Sequence, residues 1–539
     1  MQEIARHHRD SSAVTGSALR PVRSLGSLEH LFWLTDQHHR LHFAVTALIS
    51  GETRARDWRR ALDRLQKRHP IMTVCIDGEP DSVPSFRQAA AAPIPLRIVE
   101  EEPELRWEAE VGKELATPFN PSRAPLIRAV LIQGARDAAF TLVAHHSIAD
   151  GLSLAYAVRD TLAALAGRSL RPLPWLPSQD EMMNVSDSSV DGREQASAPM
   201  PAVYRPHDNA RPKVKSLRLP PALTSRVRDR ARQERTTVHG ALCAALVLAS
   251  REVSAAWREI PLRILSPINA RPLLDAGESC GVFLGATTSV FDRQAIDFWD
   301  IARDARNGVA ANQTSENIAA QLSAFHRVVG NGADLAEVAE FVAKVFACEV
   351  LLTNLGSLSF DLQFGPVTLK AIFGPAVVTG FEGQQTVGVS TVNGACVYCI
   401  QAIRNQGDYS RLSSGRNGSS TTHPVRAARS SMSASPRKRP FDHHHPTCHF
   451  VPICSLMQCS KAVPCSDRDV RLVAPPQGPA RTCSRPPARN LTADPRCLGT
   501  SSRTSIASIA PGPRSAGYFC PAASRIRFVI ESGCDMRET

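Results

Sequence analysis

Residues 139–151 read AFTLVAHHSIADG, an apolar run that ends in two histidines and is followed by an Asp-Gly pair. The run 139–144 predicts a buried strand. Residues 152–165 carry leucine and valine at helical spacing and predict a helix. The polar motif therefore lies between a strand and a helix, where a rigid scaffold can hold loop side chains in fixed positions.

The histidine pair suggests acid–base chemistry. His145 and His146 point to opposite sides of an extended segment, so only one can face a cleft and the other needs an internal partner. A neutral imidazole can take a proton from an alcohol or amine as that group attacks a carbonyl. Asp150 can bond the backbone or pair with a cation, and Gly151 permits backbone angles that other residues resist.

Two other interpretations of the pair are open. Two core histidines with satisfied hydrogen bonds would give the same string. A metal site is the second alternative, but no third ligand lies at a helpful spacing from the pair. We therefore predict no metal.

Apolar patterning continues on both sides of the motif. Before it, the pattern predicts helices at 57–69 and 105–116 and strands at 43–49, 71–76, 96–99 and 126–133. After it, helices are predicted at 221–234, 237–250 and 298–310, and strands at 260–266, 282–290, 350–353, 367–372 and 387–400. Residues 172–216 are rich in Pro, Ser and Asp and lack a period, which predicts a linker between two lobes.

Beyond residue 402 the periodic pattern ends. Residues 401–539 hold 20 Lys and Arg against 8 Asp and Glu, so they carry the whole net charge of +12. The preceding residues are balanced and give no support to nucleic-acid binding. The composition of 403–539 predicts disorder. Our hypothesis is that this tail is translated past a frameshift, which the nucleotide sequence would test.

The remaining composition predicts a cytoplasmic protein. Residues 1–20 are polar and lack the apolar region of a signal peptide. No apolar run reaches the ~18–20 residues that cross a bilayer. The cysteines before the tail lie mostly inside apolar runs, as in a reduced protein.

The string HHxxxDG after a strand and before a helix resembles the signature of the condensation-domain and CoA-dependent acyltransferase superfamily. Further segments are similar to that family, and the likeness is greatest to the polyketide-associated branch (phthiocerol/phthiodiolone dimycocerosyl transferase-like). They are LGSLEHLF (25–32), QKRHPI (66–71), PFNPSRAPLIRAVL (118–131), SPINARP (266–272), TNLG (353–356) and VGVSTVNG (387–394). The DFGWG-type motif of several relatives is absent from the sequence.

The resemblance implies an α/β fold of two similar chloramphenicol-acetyltransferase-like lobes that meet at a cleft. The predicted ranges are a disordered lead-in at 1–20, a first lobe at 21–171, the linker at 172–216, a second lobe at 217–402 and the tail at 403–539.

The resemblance also implies roles for single residues. His146 matches the general base and His145 the supporting histidine. Asp150 matches a structural residue that pairs with an arginine of the second lobe, for which Arg271 is the natural match. Gly151 matches the glycine beside the tunnel for the donor's pantetheine arm. The remaining matches, which we expect along a substrate channel, are Asn269, Asn354 and Gly356.

The function implied is acyl transfer from a CoA or carrier-protein thioester to a small-molecule alcohol or amine, with no bound cofactor. A free-standing peptide condensation domain that forms an amide is the alternative within the class. An inactive pseudoenzyme or broken gene product is the alternative outside it. We expect a monomer that binds the donor thioester, and a carrier protein where the donor is carrier-bound, without nucleic acid and without a membrane span.

Overall fold

The computed structural model describes residues 19–78, 83–88, 92–100, 106–185, 204, 211–293, 297–330 and 334–402. Within these ranges, strands and helices alternate along most of the chain. The strands are β1 Arg20–Ser24, β2 His42–Ser50, β3 Val74–Asp77, β4 Ser85–Gln88, β5 Leu96–Glu100, β6 Ile127–Gln133, β7 Asp137–His145, β8 Lys213–Arg218, β9 Leu262–Asn269, β10 Leu284–Phe291, β11 Val350–Leu358, β12 Gln363–Phe364, β13 Val367–Val377, β14 Gln385–Val392 and β15 Ala395–Ala402. The helices are α1 Ser27–His38, α2 Ala55–Arg68, α3 Trp107–Ala116, α4 Gly151–Leu165, α5 Gln179–Met182, α6 Pro221–Gln233, α7 Val238–Val253, α8 Ala255–Arg258, α9 Arg271–Leu274, α10 Phe298–Asn312, α11 Ser315–Val329 and α12 Leu335–Phe346.

The first lobe is built on a six-stranded sheet in the order β12-β13-β2-β7-β6-β5. Its central strands β2 and β7 are buried along almost their whole length, because helices cover the sheet. The amphipathic helix α2 places Trp58, Leu62 and Leu65 in the core, and Trp58 stacks on Phe140 of β7 with ring centroids 4.6 Å apart. The predicted helix at 57–69 is confirmed, and it ends before Pro70 as expected for a residue that cannot donate a backbone hydrogen bond.

The second lobe is built on another six-stranded sheet, in the order β10-β9-β11-β14-β15-β8. The apolar helix α7 packs against α10, and α10 packs against β9 and β10. Thr237 caps α7 by accepting a hydrogen bond from the Gly240 amide at 3.0 Å. The mixed α/β architecture with two lobes is therefore confirmed.

One strand crosses from the second half of the chain into the first lobe. The sequence predicts 367–372 as a strand of the second lobe, but β13 pairs antiparallel with β2 in the first sheet. Its apolar pattern identifies a strand and does not identify the partner. The predicted second-lobe range of 217–402 is wrong in this respect, because 363–377 belongs to the sheet of the first lobe.

Other boundaries also differ from the prediction. Residues 213–216 fall in the predicted linker, but they begin β8, which pairs with β15 in the second sheet. The predicted strand at 387–400 is a hairpin, because Asn393 and Gly394 adopt positive φ angles of 50° and 70° and turn the chain. Strand β1 begins at Arg20, within the predicted lead-in, and the predicted tail at 403–539 lies outside the described residues.

Candidate active site

The HHxxxDG motif occupies the turn between β7 and α4. Strand β7 ends at His145, and α4 begins at Gly151. Asp150 is the N-cap of α4: its Oδ1 accepts hydrogen bonds from the Ser153 amide at 2.8 Å and the Ser153 hydroxyl at 2.9 Å. This cap satisfies a helix-end donor and fixes the turn that carries the two histidines.

His145 points into the first lobe, and its side chain is fully buried. Its Nδ1 accepts a hydrogen bond from the Ser147 amide at 3.2 Å. The proton of a neutral ring then lies on Nε2, which faces Asp36 Oδ2 at 3.4 Å. Burial raises the pKa of Asp36, but its contact with His145, the nearby His42 and the hydrogen bond from the Leu41 amide together outweigh burial, so that the pKa lies below its usual value.

His146 points the opposite way, into a cavity between the lobes. Its ring lies between Phe32 and Phe43, with ring centroids 4.4 Å and 4.6 Å away. Burial lowers the pKa of His146 to about 4, against smaller opposing contributions from backbone groups and Asp150. The imidazole is therefore neutral at neutral pH. Because its Nδ1 is enclosed, Nε2 is the nitrogen that can meet a substrate.

Asp150 joins the two lobes through Arg271. Arg271 Nη2 donates to both carboxylate oxygens of Asp150, at 2.8 Å and 2.9 Å, and also to the Ser153 hydroxyl at 2.7 Å. Arg271 Nη1 donates to the Ser279 carbonyl at 2.8 Å, and the Phe283 amide donates to Asp150 Oδ2 at 3.1 Å. The structure thus brings together the acid–arginine pair that the resemblance implied.

Gly151 lies where three elements meet. A Cβ atom at this position would lie 2.6 Å from Pro375 Cγ and 2.9 Å from Leu355 Cδ2. The absence of a side chain lets β11 and β13 approach the start of α4. This close approach, rather than an unusual φ angle, is the physical reason for glycine here.

The cavity beside His146 has a volume of about 180 Å³. Asn269 and Asn354 are among its lining residues, as expected for a channel. Gly356 is not one of them. It adopts a positive φ of 72° and donates its amide to Asn354 Oδ1 at 2.9 Å, so it shapes the strand beside the cavity.

Sequence reasoning missed several residues of the site. Asp36 precedes the end of α1 and carries no motif that would mark it as the partner of His145. Tyr204 lies in a stretch without periodicity, and it lines the cavity together with His39 and Phe381. Within the described ranges, no group of three His, Cys, Asp or Glu side chains could hold a metal ion.

Two lobes that share a cavity, with a neutral histidine of an HHxxxDG turn facing it, define the condensation-domain and acyltransferase class. Two family models match the chain side by side. The Condensation domain model matches residues 31–180, and the model of the phthiocerol/phthiodiolone dimycocerosyl transferase C-terminus matches residues 208–360. The chain belongs to this superfamily.

Solved structures with low sequence identity share the fold. Polyketide synthase associated protein 5 from Mycobacterium tuberculosis has a TM-score of 0.52 at 17% identity, covering 73% of this chain and 95% of its own. The first condensation domain of the CDA synthetase has a TM-score of 0.55 at 15% identity, covering 74% of this chain and 94% of its own.

Curated relatives include peptide synthetases. A plipastatin synthase polypeptide of Bacillus subtilis is 28% identical over 183 residues, or 31% of this chain and 5% of that protein. Bacitracin synthase 2 of Bacillus licheniformis is 23% identical over 277 residues, or 47% of this chain and 10% of that protein. The chain therefore spans a tenth or less of the length of these relatives.

Among the residues that the structure describes, no helix has the length and apolar content to cross a membrane.

Proposed function

We propose that this chain transfers an acyl group from a thioester to an alcohol or amine, with His146 as the general base. The observation that carries the proposal is the position of the His146 ring, which lines a cavity shared by the two lobes. A base must be unprotonated before the reaction, and a pKa of about 4 keeps this imidazole so at neutral pH.

In the proposed reaction, Nε2 of His146 takes the proton of the hydroxyl or amine as its oxygen or nitrogen attacks the thioester carbonyl. The tetrahedral intermediate collapses, the carbon–sulfur bond breaks, and the imidazolium returns the proton to the leaving thiolate. The products are an ester or amide and a free thiol. Because one cavity holds both substrates, no acyl-enzyme is needed, and positioning supplies much of the remaining rate.

The neighbouring residues take supporting roles in the proposal. His145, held by Asp36 and the Ser147 amide, fixes the strand end from which His146 projects. The Asp150–Arg271 pair holds the second lobe against the motif. Gly151 lets β11 and β13 pack against the start of α4 beside the cavity, and Asn269 and Asn354 lie along the channel. Acyl-CoA or an acyl-phosphopantetheine carrier protein is the proposed donor.

Two observations favour different products. The match to a dimycocerosyl transferase C-terminus over 208–360 favours transfer to an alcohol and an ester product. The curated relatives named above are peptide synthetases, which favours an amide product. We place the ester first, because the family model for the second lobe is that of an acyltransferase.

The test is release of free thiol from a panel of acyl-CoAs and acyl-carrier proteins, with alcohol and amine acceptors, using the full chain. His146→Ala should reduce acceptor-dependent release by about 10²–10⁴-fold, the usual contribution of a general base. His239→Ala is the matched control, because burial lowers its pKa also to about 4 while it lies outside the cavity lining. This control should keep turnover near the level of the unaltered protein.

Equal loss of release in the two variants, with unchanged melting temperatures, would rule out His146 as the base. No acceptor-dependent release by the unaltered full chain with any donor would count against the enzyme itself. It would favour a binding role for the two lobes.

A further inference from the structure

Residues from two positions along α1 line the cavity. Phe32 contacts the His146 ring, and His39 is the C-cap of α1. The two residues are seven positions apart, which corresponds to about 10 Å at the rise of an α-helix. The cavity lining beside α1 therefore spans roughly this distance.

The cavity lining beside α1 is mostly apolar. It includes Leu31 and Thr35 of α1, Val342 and Phe346 of α12, and Phe381. The described lining residues include no Lys, Arg or Glu. The one carboxylate among them, Asp150, is already paired with Arg271. An ammonium or carboxylate group of a ligand would lack a partner here, whereas an uncharged hydrocarbon chain would fit.

On the His39 side, the cavity is lined by an aromatic stack. The Tyr204 ring lies parallel to the His39 ring, with centroids 4.5 Å apart and an interplanar angle of 11°. Gly380 also packs closely on His39, since a Cβ there would clash with Cδ2 and Cγ of the His39 ring. His39 therefore contacts both Gly380 and Tyr204.

Tyr204 is itself fixed by three further contacts. Its hydroxyl donates to the Ala339 carbonyl of α12. Its ring packs on Phe381 with centroids 5.0 Å apart, and its backbone forms a bridge with the same residue. Tyr204 lines the cavity and is partly exposed to solvent.

We propose that Tyr204 sets the maximum length of the apolar chain bound between His146 and His39. This inference rests on the proposed function and specifies its substrate class: a thioester donor or an acceptor with a straight hydrocarbon chain. An extended chain advances ~1.2 Å per bond, so about 10 Å holds roughly eight carbons.

The test compares dissociation constants for straight-chain acyl-CoAs from acetyl to palmitoyl, and for straight-chain primary alcohols of the same lengths. The full chain is used, unaltered and as Tyr204→Ala and Tyr204→Phe. In the series that uses this pocket, affinity should rise about fourfold per methylene and stop rising near octyl length. Tyr204→Ala should move that limit to longer chains and tighten dodecyl binding by roughly tenfold or more. Tyr204→Phe keeps the ring and should keep the limit.

The acyl-CoA and alcohol series distinguish whether the donor or the acceptor occupies the pocket. A limit that is the same in Tyr204→Ala and the unaltered protein, or affinity independent of length in both series, overturns the inference and leaves the proposed function intact. No binding of acyl-CoA or alcohol to any variant counts against both. Tyr204→Leu, with a smaller apolar side chain, repeats the test should the alanine variant fail to fold.

Discussion

Two clusters of charged residues join the lobes, and they differ in their exposure to water. The first, which we term the motif cluster, consists of Asp150 and Arg271, with side-chain exposures of 6% and 5%. The second, the α4 cluster, is centred on Asp160, which accepts hydrogen bonds from Arg68, His69 and Arg159.

The second lobe reaches the α4 cluster through Glu278. This side chain is 43% exposed and accepts from Arg159 at 2.6 Å and Arg68 at 3.2 Å. Each of these arginines also contacts Asp160. In the α4 cluster, the ion pair between the lobes is exposed to solvent, and its arginines keep Asp160 as a second acidic partner. In the motif cluster, the ion pair is buried and Asp150 is its single acid.

The difference indicates where the structure needs a fixed geometry. A buried ion pair gains little over an apolar contact, but removal of one partner leaves a charge without compensation. An exposed pair contributes little, and water replaces it. The motif cluster therefore holds the second lobe in register with the histidines, and Glu278 adds a weaker attachment.

The largest expected effect comes from a shift to acidic pH, to which the α4 cluster and the buried histidines respond differently. The bond from Arg159 lowers the pKa of Glu278. Burial raises the pKa of Asp160, but its bonds to His69 and Arg159 outweigh this and lower the value overall. A carboxyl group whose pKa is lowered in the folded protein stays ionised to a lower pH than it does in the unfolded chain. The α4 cluster therefore keeps its charges between pH 7 and pH 5.

Buried histidines behave differently in the same range. Burial lowers the pKa of His30, His42, His146 and His239 to about 4, whereas the unfolded chain takes up these protons near 6.5. The unfolded state then binds more protons, so the free energy of unfolding falls as the pH drops through this window. Each histidine contributes a loss of roughly 2 kcal/mol from pH 7 to pH 5. Urea unfolding at pH 7 and pH 5 measures this loss, and equal free energies of unfolding at the two pH values would contradict the prediction.

Next in size is Asp150→Asn, which tests the motif cluster directly. It leaves the Arg271 guanidinium buried without its acid, and we expect the free energy of unfolding to fall by about 3–5 kcal/mol. Urea unfolding at neutral pH measures the change. The double variant with Arg271→Met is the control and should recover part of the loss, because no unpaired charge remains. A loss below about 1 kcal/mol for the single variant would show that the pair is not buried as described.

The smallest effect is expected from Glu278→Gln. Arg159 and Arg68 keep Asp160 as a partner, and the lost pair is open to solvent, so the cost should be about 1 kcal/mol or less. The loss should shrink further in high salt, which screens exposed charges. Urea unfolding of Glu278→Gln at neutral pH measures this change in the free energy of unfolding. A loss as large as that of Asp150→Asn would remove the distinction between the two clusters.

Much of the site could be predicted from the sequence because it lies in one short segment. The opposite directions of His145 and His146 follow from strand geometry alone. The pairing of Asp150 with Arg271 could not be derived in this way, because the residues are 121 positions apart. It came from the resemblance of SPINARP to a family segment. Its presence in the structure agrees with that assignment, while the roles of these residues stay predictions.

The parts that escaped prediction share a physical cause. Apolar alternation predicts that 367–372 forms a strand. Which of the two sheets it joins depends on contacts between residues distant in sequence. One is the approach of Gly374 to the Ala44 carbonyl, since a Cβ on Gly374 would lie 2.8 Å from that oxygen. Tyr204 is recognisable as a site residue only from its contacts in the folded structure, such as the stack on His39, because its sequence neighbours carry no period. Local patterns identify elements, whereas partners distant in sequence require the folded structure.

The crossing of β13 into the first sheet has a consequence for synthesis on the ribosome. Strand β2 is made early, but the strand that pairs with its free edge is completed only at residue 377. Until then the nascent first lobe presents an unpaired apolar edge, which is a site for aggregation or for chaperone binding. The first lobe therefore completes its sheet only after most of the second lobe has been synthesised.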